Sequence, residues 1–590
     1  MTIISLLSKL FNKPKREEIL LTPLEPIEPV NPLEAIEPVA SVRPTCHVKS
    51  IEFICGKKLS INRNEIIVIV GPNNSGKSCT LREIRAKLRL GNKFKGILLK
   101  TADFVFGTGN MAEWLKKNSR FKGAWYLVEG VDTQIYDSAI ETYWPKKNER
   151  GVDDLHQIFC KFLSTEERLI RFNDTKLPNY YEEVSSHPLH MIYRDEKLEA
   201  KLNEIFLKTF RRSIRLNRKA GSVASLELGD GVNHATKDQF SYARLSEQGD
   251  GVRAFAGVIG SVLASDADIL LIDEPEAFLH PPQIALLARL LAREVPLGRQ
   301  QFIATHSIDF LRAILDQRER PVRILRLSRG ANGGDVKELS SEALRKVWQD
   351  SLLRYSRVLD GLFHDGVVVC ESDSDCHFYA ALHEAIEEDD LVRRDLAFVH
   401  GASKSRIPTI VRALKAIGVP TRVATDFDIL GSERDLEQIC EALGGAWGDL
   451  QRDYKVVKSS IEQRRTELST AETREAISSA LNRVKSSSIP DGTIKEIKQI
   501  IGKSSAWSEA KKLGKTFIPT GDASAVYQQL EVKLRDLGLF IVPVGELESF
   551  YRSSANHGPA WLPDVLELDL RISPQLAEAR DFVRALTQGF

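Results

Sequence analysis

Short, continuous hydrophobic runs recur along the chain and predict strands that are buried on both faces. The first clear examples are residues 65–70 (EIIVIV), the end of the stretch 263–272, and residues 301–304. A turn and a helix from Lys77 follow the first run, and a helix from about 282 to 293 follows the second. This alternation of strand and helix predicts an α/β fold with a parallel sheet.

The same pattern restarts in the last third of the chain. Apolar runs at 367–370, 396–400 and 421–425 alternate with helical segments, which predicts a βαβαβ unit and a second parallel sheet. A mainly helical insertion follows at about 430–538, with a break at Pro490-Asp491-Gly492. Strand character returns at 539–544, where Pro543 favours a strand end or an edge strand.

The N-terminal residues show neither pattern. Residues 1–18 predict a short amphipathic helix that ends in a basic run, and residues 19–45 contain a proline at nearly every third position. This spacing is typical of an extended polyproline II strip. The strip is interpreted either as a semi-rigid linker or as a docking segment for a partner. We therefore predict three parts: residues 1–45, residues 46–350, and residues 351–590 with the insertion at about 430–538.

Composition narrows the class of protein only slightly. The 590 residues include 82 basic and 81 acidic side chains, with a net charge of +1, so any surface for nucleic acid must be local. No apolar run reaches the length of a membrane span, and none is expected. The seven cysteines form no CxxC pair, which indicates reduced, mostly buried thiols in a cytoplasmic protein.

A phosphate-binding loop follows the first buried strand. Residues 71–78 (GPNNSGKS) fit GxxxxGK[ST] between a strand and a helix, which is the context that this motif requires. Backbone N–H groups at the helix start would bind the phosphates of ATP, Lys77 would reach the β- and γ-phosphates, and Ser78 would bind Mg²⁺. The predicted nucleotide-binding residues here are Gly71, Asn74, Ser75, Gly76, Lys77, Ser78 and Cys79.

A second motif completes the nucleotide site. The apolar strand that ends at Asp273 is followed by Glu274. Asp273 would complete the Mg²⁺ shell, and Glu274 would act as general base on the attacking water. After the next strand, His306 could sense the γ-phosphate, although a lone histidine there is more often structural. Ser246, in the sequence LSEQG before a helix, could equally be a simple helix N-cap.

The order of these motifs resembles the ABC-type ATPases, in which the serine-led signature of one subunit closes over the nucleotide of the other. The resemblance implies that Ser246 acts in trans and that the protein is a homodimer or a higher oligomer. Asn110, Glu113 or another residue within 85–240 would supply the remaining contact near the γ-phosphate, and the sequence does not select one. Sustained heptads are missing between the phosphate loop and Asp273, which argues against long coiled-coil arms.

Carboxylates follow the strands of the second sheet. Ligands of parallel sheets bind at the carboxyl ends of the strands, so these side chains should meet at one edge. Such a group would be costly without a cation, and hard oxygen ligands suit Mg²⁺ or Mn²⁺. Two ions about 4 Å apart could activate water and stabilise a leaving oxygen, and Lys404 could contact the phosphate. The predicted metal ligands are Glu371, Asp375, Asp426, Asp428 and Glu548.

This second arrangement resembles the Toprim domain, which has a glutamate at a strand end and a later Asp-x-Asp, here Glu371 and residues 426–428 (DFD). From about residue 48 the chain resembles the overcoming-lysogenization-defect (OLD) family, which includes nuclease effectors of the Gabija and retron types. The segments that carry this resemblance are 71–78, 249–255 (GDGVRAF), 272–281 (IDEPEAFLHP), 304–307 (ATHS), 360–363 (DGLF) with the following strand up to 375, and 545–548 (GELE).

The resemblance also assigns roles and shows departures. It implies that Glu548 is the metal ligand and Glu546 is not. The family usually has glycine after the first glutamate, whereas this chain has Ser372, which restricts the turn. A basic residue near the family's C-terminus assists catalysis, and Arg571 or Arg580 could take that role here.

Two basic segments are candidates for binding nucleic acid. The first, residues 206–220, carries six cationic side chains and no acid; it is either a phosphate-binding patch or a solvated face. The second lies in the insertion and either covers the substrate or is purely structural. Its cationic residues, beside Trp507, are Lys485, Lys495, Lys498, Lys503, Lys511, Lys512 and Lys515.

The sequence therefore predicts an α/β protein in which an ABC-type P-loop ATPase domain precedes a Toprim domain with a helical insertion. The expected activity is ATP hydrolysis together with cleavage of DNA that depends on Mg²⁺ or Mn²⁺. The family likeness implies anti-phage defence, with control by nucleotide or by a partner protein or ribonucleoprotein. Two alternatives stay open: a Toprim effector that cleaves RNA or tRNA, and an ATP-driven sensor or scaffold whose Toprim domain only binds.

Overall fold

The computed structural model describes most of the chain. The described part is residues 43–590 except 132, 171, 220, 231–241, 329–333, 351–357, 388–393, 402, 465–469, 485–487, 503–505 and 555. The predicted N-terminal helix and all but the last residues of the proline-rich segment lie outside the described residues, as do Lys485 and Lys503.

Strands are spread over the whole described chain. In chain order they are β1 (Cys46–Phe53), β2 (Lys58–Ser60), β3 (Ile66–Val70), β4 (Leu99–Phe106), β5 (Ser119–Phe121), β6 (Trp125–Val128), β7 (Ile135–Tyr136), β8 (Cys160–Leu163), β9 (Thr175–Lys176), β10 (Arg212–Leu216), β11 (Val223–Ala224), β12 (Leu226–Asp230), β13 (Ala243–Arg244), β14 (Ile269–Asp273), β15 (Gln300–Ala304), β16 (Val322–Ser328), β17 (Asp335–Leu339), β18 (Gly366–Cys370), β19 (Leu396–His400), β20 (Thr421–Thr425) and β21 (Leu539–Ile541).

Helices connect these strands and form most of the insertion. In chain order they are α1 (Lys77–Leu90), α2 (Met111–Asn118), α3 (Asp137–Thr142), α4 (Lys147–Arg150), α5 (His156–Phe159), α6 (Thr165–Ile170), α7 (Pro188–Arg194), α8 (Glu196–Phe210), α9 (Asp250–Leu263), α10 (Pro281–Glu294), α11 (Ile308–Leu315), α12 (Ser341–Gln349), α13 (Asp373–Glu387), α14 (Ile407–Ala416), α15 (Glu433–Ala442), α16 (Gly448–Glu462), α17 (Thr470–Asn482), α18 (Asp491–Gly502), α19 (Ala506–Leu513), α20 (Asp522–Leu537), α21 (Trp561–Leu566) and α22 (Ala577–Thr587).

The first large sheet has six strands in the order β17-β16-β3-β15-β14-β8. Five of them are parallel, and only β17 pairs antiparallel to its neighbour β16. Every residue of β3, β14 and β15 is buried, as the continuous apolar runs predict for strands covered on both faces. The order places the carboxyl ends of β3, β15, β14 and β8 side by side at one edge.

The second sheet has four parallel strands in the order β19-β18-β20-β21. Helices α13 and α14 supply the predicted crossovers, so the βαβαβ unit is confirmed. Helices α15 to α20 lie between β20 and β21 and form the predicted helical insertion. The predicted break at residues 490–492 falls at the start of α18, whose first residue, Asp491, follows Pro490. β21 is an edge strand that ends at Ile541, and Pro543 lies two positions beyond that end, in agreement with the missing N–H of proline.

The two sheets share one continuous apolar core. A single cluster of buried side chains runs from Val68 in β3 through Ile324 in β16 to Val367 in β18 and Leu539 in β21. The guanidinium of the buried Arg326 in β16 donates to the carbonyl oxygens of Leu362 and His364, just before β18. These bonds fix the first strand of the second sheet against the end of the first sheet.

Smaller features agree with the composition. Five of the seven free cysteines are buried, Cys79 is half-buried and Cys55 is exposed. Among the helices of the described residues, none has both the length and the apolar character that crossing a bilayer would require.

Candidate nucleotide site and carboxylate site

The loop between β3 and α1 has the backbone of a phosphate-binding loop. Gly71 and Gly76 adopt φ angles of +145° and +97°, and Asn74 adopts +58°. A Cβ atom on Gly71 would lie 2.1 Å from the carbonyl oxygen of Leu327, so only glycine fits there. No side chain caps the start of α1, and its first N–H groups therefore face the loop and could bind an anion.

Lys77 points into this loop. Its ammonium donates to the carbonyl oxygens of Gly71 and Pro72, at 2.8 and 2.9 Å. Burial lowers the pKa of Lys77, and the carboxylates of Glu274, Glu276 and Asp273 act in the opposite direction. Two other predicted nucleotide-binding residues lie close to Lys77. Ser75 is buried inside the loop. The thiol of Cys79 donates to Glu83 at 3.5 Å, so only the backbone of Cys79 is available to a phosphate.

The two predicted Mg²⁺ ligands of the nucleotide site meet. The hydroxyl of Ser78 donates to Oδ1 of Asp273 at 2.8 Å, because β14 and β3 are separated by β15 alone and end at the same level. Burial raises the pKa of Asp273, while the bond from Ser78 opposes that rise. A divalent cation would compensate this buried carboxylate, so the donor set fits Mg²⁺ bound with a nucleotide.

Glu274, the residue after Asp273, lies close to His306, which comes shortly after β15. Nδ1 of His306 is 3.5 Å from Oε1 of Glu274, and Glu274 has an unusual φ angle of +46°. The hydrogen bond between them lowers the pKa of Glu274 and raises the pKa of His306. The structure thus brings the predicted general base and the predicted γ-phosphate sensor into one pair beside Asp273.

Two residues that the sequence reading did not select hold this pair in place. Glu276 is fully buried, and its Oε1 accepts bonds from Thr305 Oγ1 at 2.7 Å and from the backbone N–H of His306 at 2.8 Å. Burial raises the pKa of Glu276. The sequence does contain a sign of Glu276, because it is a second glutamate two residues after Glu274 in the same motif.

Arg168 is the other missed residue. It is wholly buried in α6, which follows β8, and its guanidinium donates to the carbonyl oxygen of Glu274 at 2.9 Å and to Thr165 Oγ1 at 3.0 Å. Because β8 pairs with β14, the segment after β8 approaches the residues that follow β14, including Glu274. By contrast, Asn110 caps α2 by accepting from Ala112 N and Glu113 N, which gives it a structural role.

Ser246 lies in the segment between β13 and α9. It sits in a 3₁₀ turn over Leu245–Glu247, which precedes α9 and contacts β12. Gly249, and not Ser246, is the N-cap residue of α9. A phosphate contact by Ser246 in trans stays a prediction.

In the second sheet, three of the predicted carboxylates meet. One oxygen each from Glu371, Asp426 and Asp428 can be chosen so that all lie within 4.8 Å of one another. Glu371 follows β18, and Asp426 and Asp428 follow the neighbouring strand β20. Oε1 of Glu371 also accepts a bond from the backbone N–H of Asp426 at 2.9 Å. We call these three residues the carboxylate triad.

Electrostatics indicate that the triad is suited to a cation. Burial, the largest cause, raises the pKa of Glu371 to about 7. Burial also raises the pKa of Asp426 well above its usual range, and the charge of Glu371 adds to the effect. Lys404, predicted as a phosphate contact, pairs directly with Asp428 and lies 3.7 Å from Glu371. Three clustered carboxylates, which the neighbouring ammonium groups compensate only in part, are a donor set that fits Mg²⁺ or Mn²⁺.

Asp375 and Glu548 lie beside the triad and have other partners. Asp375 accepts a bond from the N–H of Ser372 at 2.8 Å, and its own N–H donates to the hydroxyl of Ser372 at 3.3 Å. This reciprocal pair is a capping box at the start of α13, which explains serine where the resemblance has glycine. Glu548 accepts from Gly558 N at 2.8 Å, and its charge contributes to the raised pKa of Asp375, for which burial is the main cause. Their metal-binding roles stay predictions.

The insertion contributes a cation that the sequence reading placed only among candidates for binding nucleic acid. Lys511, in α19, has its ammonium 3.5 Å from Asp426, 3.9 Å from Asp428 and 3.7 Å from Glu546. Burial lowers the pKa of Lys511, but the surrounding carboxylates outweigh it and raise the pKa overall. Glu546, expected to be a spectator, therefore shares a partner with two members of the triad.

The remaining basic candidates are largely engaged elsewhere. In the segment 206–220, Lys208 pairs with Glu204, Arg215 with Glu227 and Arg218 with Glu199. These acids come from outside the segment or from the preceding helical turn, and they neutralise much of the predicted phosphate-binding patch. Arg580 is buried and donates to the carbonyl oxygen of Leu570, which places it in the C-terminal core.

Comparisons with known proteins match two separate parts of the chain, one in each of the two large sheets' regions. A family described as "AAA domain, putative AbiEii toxin, Type IV TA system" matches residues 124–312, and one described as "Overcoming lysogenization defect protein-like, TOPRIM domain" matches residues 362–428. The chain is similar to the Old nuclease of Escherichia phage P2, with 26% identity over 172 residues. That match spans 28% of this chain and 28% of the relative.

Solved structures that are similar to this chain include heads of SMC proteins. The SmcHead bound to the C-winged helix domain of ScpA has 16% identity and a TM-score of 0.33, and covers 51% of this chain and 99% of that one. The SMC head domain from Thermotoga maritima has 13% identity and a TM-score of 0.26, and covers 51% of this chain and 100% of that one. The two family matches confirm the predicted order of an ATPase domain and a Toprim domain.

Proposed function

We propose that this chain, in which an AAA-type ATPase domain is followed by an OLD-like TOPRIM domain, is an ATP-hydrolysing, divalent-metal-dependent endonuclease that cleaves DNA. The observation that carries this proposal is the carboxylate triad at the ends of two neighbouring parallel strands, with two lysines beside it. The name of the phage P2 relative, Old nuclease, supports the same activity.

The chemistry is hydrolysis of a phosphodiester. A water oxygen forms a bond to phosphorus, the bond from phosphorus to one sugar oxygen breaks, and that oxygen takes up a proton. Bound Mg²⁺ or Mn²⁺ would supply charge stabilisation and an activated water. Glu371, Asp426 and Asp428 would hold the metal, and Asp375 and Glu548 would complete the site from α13 and from the loop after β21. Lys404, which pairs with Asp428 of the triad, would orient the phosphate.

In the ATPase domain, the positions of the residues indicate a role for each in ATP binding or hydrolysis. The loop N–H groups and Lys77 would bind the phosphates of ATP, and Ser78 with Asp273 would bind Mg²⁺. Glu274 would accept a proton from the attacking water, and His306 would hold Glu274 and contact the γ-phosphate. Ser246 would complete the site of a second subunit, so the active form is a homodimer or a higher oligomer.

The biological assignment rests on the family likeness. We assign residues 46–350 to the ATPase and residues 351–590 to the nuclease, with the insertion at about 430–538. The protein would act in the cytoplasm as an anti-phage effector, and nucleotide or a partner protein or ribonucleoprotein would control cleavage. The names of the matched families, a toxin of a type IV system and a lysogenization-defect protein, support such a role.

The deciding experiment is cleavage by the double variant Asp426→Ala, Asp428→Ala. Wild type should cut plasmid DNA in Mn²⁺ or Mg²⁺, and the double variant should lose at least about a hundredfold in rate. Asp373→Ala is the matched control, because Asp373 is exposed beside the site and lies outside the triad. Equal cleavage by the double variant would reject the site, and cutting of RNA but not DNA would replace the substrate.

A further inference from the structure

The helical insertion reaches into the carboxylate site through one side chain. Lys511 lies near the carboxyl end of α19, and its ammonium faces Asp426, Asp428 and Glu546. The side chain is 39% exposed, so the ammonium is enclosed on the protein side and open on the other. The insertion is thus part of the site wall.

The backbone around Lys511 is fitted closely to the loop after β21. A Cβ atom on Gly545 would lie 2.1 Å from the carbonyl oxygen of Lys511, and one on Gly514 would lie 2.1 Å from the carbonyl oxygen of Pro543. The N–H of Lys515 donates to the same Pro543 oxygen at 2.9 Å. Close backbone approach and this bond fix the end of α19 against the loop after β21.

A second contact fixes the other end of α19. The indole of Trp507 packs on Gly431, where an added Cβ would be 3.1 Å from the ring. Gly431 ends the 3₁₀ turn Phe427–Gly431, which contains Asp428. Helix α19 is therefore held by the two loops that carry Asp428 and Glu546, and the position of Lys511 is set by both.

The distances from the ammonium of Lys511 to its three carboxylates are longer than those of an ordinary structural ion pair. All three of its carboxylate separations exceed the usual range of about 2.7–3.2 Å for an N–H···O bond. Lys404, in contrast, pairs directly with Asp428. An ammonium held among several carboxylates, without a short bond to any of them, can approach a phosphate oxygen without first breaking a short hydrogen bond.

We propose that Lys511 is a catalytic residue of the nuclease, supplied by the helical insertion, which contacts the scissile phosphate and stabilises the charge that develops on it. This inference rests on the proposed function. The insertion is accordingly a required part of the active site, and Lys404 and Lys511 hold the phosphate from opposite sides of the triad's two strands.

The test compares Lys511→Met and Lys511→Arg with Lys455→Met, an exposed lysine in α16 of the same insertion. Turnover should fall about a hundredfold in Lys511→Met, recover in part in Lys511→Arg, and stay at the wild-type level in Lys455→Met. Because a competing cation is removed, the metal concentration for half-maximal activity should stay the same or decrease in Lys511→Met. If that variant does not fold, Lys511→Gln takes its place.

Three results would overturn the inference. Wild-type turnover in Lys511→Met would do so, and so would a fall in turnover that excess metal restores, since the lysine would then only shape the metal site. A loss of Lys511→Met activity that matches a loss of folded protein by circular dichroism, repeated in Lys511→Gln, would show a purely structural role. If the wild-type protein cleaves no nucleic acid, the proposed function fails first, and the inference fails with it.

Discussion

The carboxylate of Glu371 accepts a hydrogen bond from the backbone N–H of Asp426, with 2.9 Å between Oε1 and N. Glu371 follows β18 and Asp426 follows β20, its neighbour in the sheet. One residue of the triad therefore positions the loop that carries the other two. The second oxygen of Glu371, Oε2, lies 3.7 Å from the ammonium of Lys404 and is available to a cation.

The double role of Glu371 predicts opposite effects for two substitutions. Glu371→Gln can still accept the bond from Asp426 through its amide oxygen, but it removes one charge from a crowded group. We expect it to lose metal-dependent cleavage and to unfold at the same temperature as wild type or higher in EDTA. Glu371→Ala leaves the Asp426 N–H without its acceptor and should be less stable than Glu371→Gln by about 1–3 kcal/mol.

Thermal unfolding with and without Mn²⁺ checks this ordering. Added Mn²⁺ should raise the unfolding temperature of the wild type but not that of Glu371→Gln, because binding to the native state stabilises it. A Glu371→Gln variant that Mn²⁺ still stabilises as strongly as wild type would show that Glu371 is not a ligand.

The capping box of Ser372 and Asp375 predicts a structural role for the departure from the family pattern. Ser372→Ala removes the hydroxyl acceptor of Asp375 N and should cost about 1 kcal/mol, whereas Ser372→Gly should cost only a few tenths. Neither substitution touches the triad, so cleavage by the folded variants should stay near the wild-type level. A large loss of cleavage in stable Ser372→Gly would show that the serine acts in catalysis.

Much of the carboxylate site could be predicted from the sequence because its geometry is local to strand ends. Continuous apolar runs predict parallel strands, and the residues after them must share an edge, which places Glu371 beside Asp426 and Asp428. Lys511 could not be placed in this way. It lies in an insertion helix whose position depends on backbone contacts at Gly545 and Gly431, and no local pattern reveals these.

The basic segment 206–220 shows a case in which the sequence pattern predicts a binding surface that the fold largely neutralises. Its cations and lack of acids suggested a phosphate patch, yet Glu199 and Glu227, close in space, pair with Arg218 and Arg215. Tertiary pairing of charges is invisible in a linear pattern. For the same reason Arg168 was missed, because only the pairing of β8 with β14 brings it to Glu274.

Removing the predicted base and the predicted phosphate lysine should separate ATP binding from hydrolysis. Glu274→Gln keeps the size of the side chain and should lower ATP turnover at least about a hundredfold while ATP still binds. Lys77→Ala should lose both, because the ammonium lies inside the phosphate loop. Nucleotide binding by calorimetry and phosphate release measure the two effects, and wild-type turnover by Glu274→Gln would exclude it as the base.

Arg168 predicts a positioning effect on the same reaction. Lysine keeps the charge but cannot reach Glu274 O and Thr165 Oγ1 together. Arg168→Lys should therefore lower ATP turnover about tenfold or more with ATP affinity little changed, since the backbone of Glu274 loses its support. Thr165→Val is the control, because it removes only the hydroxyl partner and should cost less. A greater loss in Thr165→Val would assign the effect to the loop after β8.

The proposal that Ser246 completes the nucleotide site of a second subunit predicts complementation between inactive subunits. Lys77→Ala destroys the phosphate loop but keeps Ser246, and Ser246→Arg does the reverse. In an equal mixture half of the dimers are mixed, and each has one intact composite site, so ATP turnover should recover to about a quarter of wild type if the two sites act independently. The mixture is measured after exchange of subunits, with each variant alone as control. No recovery, in dimers shown by light scattering to have exchanged, would place Ser246 in the site of its own chain or outside the reaction.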